Sequence, residues 1–100
     1  MIIVAGTIRV PEDKIEALLP AAKAVIGATL KEAGCLVYSF AFDVTDRGLI
    51  RIYEEWESRA QLDAHGKQPH MVPWRQKMVE VGASGRALKV YEADAGQALG

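Results

Sequence analysis

Along the chain, apolar and polar residues switch between a period of two and a period of three to four, and each switch marks an element. Ile2 to Val10 is β-branched and rich in isoleucine and valine, a strand composition. Pro11-Glu12-Asp13 then places a proline and two acids where a helix begins. From Ile15, the positions Leu18, Leu19, Ala22, Val25, Ile26 and Leu30 recur at three- and four-residue spacing, which predicts one buried helical stripe. Pro20 falls within it and removes a backbone donor, so a kink is expected there.

Gly34 supplies a helix stop, and Cys35-Leu36-Val37-Tyr38-Ser39-Phe40-Ala41-Phe42 reads as a second strand. Asp43 to Gly48 has turn composition, and Leu49 to Trp56 follows as a third strand, forming a hairpin with the second. Ser58-Arg59-Ala60-Gln61 fits a capping box and opens a short helix. Pro69 opens a further helical stretch with Trp74, Met78 and Val81 on one face, Gly82 to Gly85 ends it, and Ala87 to Tyr91 reads as a fourth strand. The order β-α-β-β-α-β predicts an α+β chain of ferredoxin-like type, with helices on one face of an antiparallel sheet. Strand two sets Val37 and Ala41 on one side and Leu36, Tyr38, Phe40 and Phe42 on the other. Two apolar faces require a cover for the second, and a second copy of the chain is the simplest one.

Composition narrows the partners. With 100 residues, half of them apolar, the chain has the size of one domain, expected over residues 1–94, with a fraying tail at 95–100. Twelve basic and thirteen acidic residues leave a net charge of −1, which argues against nucleic acid and anionic membranes as partners. No apolar run reaches the roughly 20 residues that span a bilayer, and no basic segment precedes the apolar start, so a cytoplasmic protein is expected. Cys35 is the lone cysteine, a small buried hydrophobe by expectation, and fits a reducing compartment.

Glu32-Ala33-Gly34-Cys35-Leu36-Val37-Tyr38 and Tyr53-Glu54-Glu55-Trp56-Glu57-Ser58, followed by Leu62, His65 and Pro69-His70, together resemble the antibiotic biosynthesis monooxygenase family. The resemblance covers nearly the whole chain. It implies a ferredoxin-like fold, a homodimer in which two sheets pack into an α/β-barrel, and a pocket between sheet and helices in each subunit. It also implies oxidation of a quinol or polycyclic phenol by molecular oxygen, with no metal, flavin or haem as cofactor. Family membership fixes fold more firmly than reaction, so a non-catalytic aromatic-ligand binding protein and an oxygen-independent isomerase or cyclase remain alternatives.

Histidine titrates near neutral pH, which suits His65 to act as general base on a phenol. Glu54 and Trp56 are two apart on a strand and share a face. Trp56, Tyr38, Phe40 and Trp74 are expected as an aromatic wall, with Glu54 orienting the imidazole or binding a hydroxyl, and His70 beside the substrate. For the two tryptophans, plain core packing is the competing reading. Glu54-Glu55 points to opposite sides of its strand, so at least one of the pair is expected in solvent or paired with Arg51 or Arg86. A metal is not expected: His65 and His70 are five apart, a spacing that does not share a face on a continuous helix, and no third histidine exists. Gly82-Ala83-Ser84-Gly85 lacks a strand-to-helix phosphate context. Haem degradation, which the dimeric barrel can host, is disfavoured because Arg75 stands where a histidine ligand is sought.

Overall fold

Four strands and three helices follow one another in the order anticipated from the pattern, in a computed structural model that describes residues 1–100. They are β1 (Ile2–Arg9), α1 (Ile15–Thr29) after a 3-10 turn at Glu12–Lys14, β2 (Cys35–Asp43), β3 (Asp46–Trp56), α2 (Arg59–His65), α3 (Met71–Glu80) and β4 (Ser84–Glu92). The sheet order is β2-β3-β1-β4, and all three pairings are antiparallel. This is the ferredoxin-like α+β fold.

Strand alternation decides which face meets the helices. Ile2, Val4 and Ile8 of β1 and Ile50, Ile52, Glu54 and Trp56 of β3 are buried, and in the pairing register Tyr38 faces Glu54 and Phe40 faces Ile52. From the other side α1 buries Ile15, Leu18, Ala22, Val25 and Thr29, a stripe at three- and four-residue spacing. Each fully buried leucine or isoleucine contributes about 1.5–3 kcal/mol, so these facing stripes hold the two layers together. Trp56 is fully buried and is one of the largest side chains in the core.

Several local expectations are corrected. Helix α1 runs unbroken through Pro20, where both Pro20 and Glu16, whose carbonyl loses its partner, are exposed and open to water. Leu30 lies just past the helix end and is 50% exposed, so the buried stripe stops at Thr29. Cys35 pairs with Trp56 and Val37 with Glu55, so Leu36 is the extra residue of a β-bulge and is half-exposed, off the face it was expected to share with Tyr38. The β2–β3 turn is tighter than the composition suggested, because β3 already starts at Asp46 and Asp43 accepts the Thr45 amide at 3.0 Å. Ser58 caps α2 by accepting the Gln61 amide at 3.2 Å, but the Gln61 side chain accepts from the serine hydroxyl at 3.0 Å instead of completing a capping box. Arg51 pairs with Asp43 at 2.9 Å, and Glu55 accepts from the Tyr53 hydroxyl at 2.8 Å.

The molecule measures 38 × 36 × 20 Å, and its short dimension is that of a single sheet under a single helical layer. No helix is long and apolar enough to cross a membrane.

Candidate functional site

Between the sheet and the pair α2–α3 lies a cavity of about 770 Å³. Val4, Ile52 and Leu88 contribute its sheet side, and Leu62, Met71 and Met78 its helical side. Phe40 and Trp74 line it as a stacked pair, with ring centres 5.3 Å apart and planes inclined by 27°. The polar groups that reach it are few: Glu54, His65 and Tyr38, with exposed Ser84, Arg75 and Arg86. A mostly apolar hollow with a small polar set suits a largely apolar small molecule.

His65 is the last residue of α2 and is buried. Its ring packs 5.0 Å from the ring of Trp56 and 5.2 Å, edge-on, from that of Tyr38. Its Nδ1 donates to Oε2 of Glu32 at 2.8 Å, and Nε2 of His70 donates to the same oxygen at 2.8 Å. A carboxylate only accepts, so both nitrogens carry protons. For His65 this fixes the tautomer and leaves Nε2, which has no protein partner, as the basic nitrogen. No buried side-chain nitrogen or oxygen lacks a hydrogen-bond partner, so this Nε2 is open to the cavity that His65 lines. The hydroxyl of Thr29 lies 3.4 Å from Nε2 of His70.

Among the residues singled out from sequence, His65, Glu54, Tyr38, Phe40 and Trp74 line the cavity. Trp56 and His70 do not: Trp56 is sealed in the core against the His65 ring, and His70 reaches the site through Glu32. The carboxylate that orients His65 is Glu32, not Glu54, because Glu54 Oε1 accepts from Trp56 Nε1 at 2.9 Å. Glu32 stands between α1 and β2, four residues ahead of the β2 bulge, and its only sequence signal was its place in the Glu-Ala-Gly-Cys segment.

Burial is the main reason that the Glu54 carboxyl is pushed above the usual carboxylate range, partly offset by the Trp56 hydrogen bond and the nearby His65 and Arg86. Burial, then the charges of Glu54 and Glu32, push the Tyr38 phenol above its usual value. Burial likewise raises the Cys35 thiol, a partly buried side chain with no disulfide.

Residues 1–77 match the antibiotic biosynthesis monooxygenase family. The chain belongs to that family. The matched span carries Glu32, Tyr38, Glu54, Trp56, His65, His70 and Trp74, whereas Arg86 and Leu88 of this family member lie beyond it. An uncharacterised protein of Synechocystis is 33% identical over 98 residues, covering 98% of this chain and 67% of its own length. A Deinococcus radiodurans structure, provisionally named an antibiotic biosynthesis monooxygenase, superposes with a TM-score of 0.91 at 24% identity over the full length of both chains. A conserved Bacteroides thetaiotaomicron protein of unknown function gives a TM-score of 0.75 at 30% identity, covering 90% of this chain and 92% of its own.

Proposed function

We propose that this chain is a cofactor-independent monooxygenase that oxidises a quinol or polycyclic phenol with molecular oxygen. The observation that carries the reading is the state of His65: its Nδ1 is tied to Glu32, and its free Nε2 opens into an aromatic-walled cavity. In this reading the ligand's ring lies against Phe40, Trp74 and Tyr38, and its hydroxyl meets Nε2 of His65. The imidazole takes the phenolic proton, and Glu32 stabilises the resulting imidazolium from the far side. The electron-rich anion transfers one electron to oxygen, and the radical pair recombines as a hydroperoxide at a ring carbon. Loss of water, using the hydrogen on that carbon and the outer oxygen, leaves a quinone, so one oxygen atom enters the product and the other leaves as water. Glu54, bonded to Trp56 within the cavity wall, fixes that wall and faces the ligand's polar edge.

Two copies of the chain pair through the sheet face that the helices leave open, which carries Ile3, Ala5, Val37 and Tyr53. The direct test of the reaction is oxygen uptake by metal-stripped protein with hydroquinones and polycyclic phenols, using isotopically labelled oxygen. The reading expects uptake above autoxidation with one labelled atom in the quinone. No uptake on any substrate, or turnover that continues without oxygen, would overturn it.

A further inference from the structure

Glu32, His65 and His70 come from three separate parts of the chain, the α1–β2 connection, the end of α2 and the residue before α3, yet their donor atoms all lie within 4.8 Å of one another. A turn separates the two histidines, so no continuous helix carries them and their five-residue spacing does not hold their donors apart; the third donor is a carboxylate. We propose that these three residues bind a divalent transition-metal ion. Two imidazoles and one carboxylate are borderline donors that suit Zn²⁺, Co²⁺ or Ni²⁺ better than Mg²⁺ or Ca²⁺.

The geometry is close to what an ion needs. Metal–nitrogen bonds of about 2.0 Å in a tetrahedron put donors about 3.3 Å apart. The two present nitrogen–oxygen separations are 2.8 Å and no two of the three donors are more than 4.8 Å apart, so the nitrogen–oxygen pairs open by about 0.5 Å as the ring nitrogens settle around the ion. The first donors are already held: the His65 ring is wedged between Trp56 and Tyr38, and the Thr29 hydroxyl stands beside His70. The His70 side chain is 24% exposed, against 10% for Glu32 and 7% for His65, so an ion enters past His70.

Of the three, only His65 lines the cavity, so the ion lies behind its ring and does not touch a cavity ligand. A ring that ligates through Nδ1 keeps its one proton on Nε2, the nitrogen open to the cavity. The metal-bound and hydrogen-bonded states of the trio therefore exclude each other, and the ion switches His65 off as a base. That last consequence rests on the proposed oxygenase reading; the metal site does not.

The test titrates Zn²⁺ into metal-stripped full-length protein by calorimetry, for the wild type and for His70→Gln, whose amide still donates to Glu32 but ligates poorly. One ion per chain is expected, bound at least about 10-fold more weakly by the variant. Imidazole nitrogen shifts in the wild type place the ion independently, on Nδ1 of His65 and Nε2 of His70. Absence of binding, equal binding by the variant, or unmoved imidazole shifts overturns the site. Oxygen uptake is read in the same samples and is expected to fall as Zn²⁺ saturates. Uptake that persists at saturation overturns the switch, while a protein with no uptake at any metal level overturns the oxygenase reading and leaves the calorimetry to decide the site.

Discussion

Glu54 and Glu32 are two nearly buried carboxylates with different work. Glu32 gives one oxygen to two imidazole donors, whereas Glu54 has one indole donor and sits in an apolar wall. Because burial raises the Glu54 carboxyl, the folded state holds its proton more tightly than the unfolded chain does. The stability this group contributes is thus full at acid pH, below the ordinary carboxylate range, and is lost as pH rises through the raised folded value. Glu54→Gln keeps an oxygen for Trp56 and removes the buried charge. Its melting temperature at pH 7.5 is expected to exceed that of the wild type by a few degrees, with the gain shrinking as the pH is lowered toward 4. A variant less stable than the wild type at pH 7.5 would show that the charged hydrogen bond to Trp56 outweighs the cost of burial.

The turn between α1 and β2 carries Glu32 to the site, and Gly34 makes that turn. Its φ is +84°, and a Cβ there would lie 2.1 Å from the Gln61 side chain, which holds the Ser58 cap of α2. Gly34→Ala therefore strains the backbone and disturbs the start of α2 together, at a cost of about 1–3 kcal/mol. Urea unfolding measures it, and an unchanged midpoint would contradict this account of the turn. At this scale the sequence was readable where packing follows a period: the stripe of α1, the alternation of β1 and β3, and the cap at Ser58 all appear in the residues. Glu32 was not readable as the partner of His65 and His70, because those contacts depend on a turn that brings the end of α1 to the end of α2 and the start of α3, and no spacing rule spans that distance. The bulge at Leu36 was equally hidden, since one inserted residue leaves the composition of a strand unchanged while moving a side chain out of its face.

A molecule only 20 Å thick has one sheet face under helices and one without them. Ile3, Ala5, Val37 and Tyr53 on that second face are interspersed with Arg51 and Glu55, a mixed surface that suits a partner of the same kind, where each copy meets the other's apolar and charged positions. Light scattering at micromolar concentration is expected to give twice the chain mass. Val37→Lys, whose new charge stands opposite Glu55 within its own sheet, is expected to fold and to shift the protein toward monomer. A monomeric wild type would contradict pairing through this face. In the proposed oxygenase reading, the fold sets the imidazole of His65 between Glu32 and the aromatic-walled cavity. The measurement that tests this most directly is steady-state oxygen uptake by wild type and by His65→Ala on the best phenolic substrate, at temperatures where both remain folded. Loss of His65 is expected to lower kcat by about 10²- to 10⁴-fold, the range a general base supplies. A variant that takes up oxygen at the wild-type rate would contradict the account.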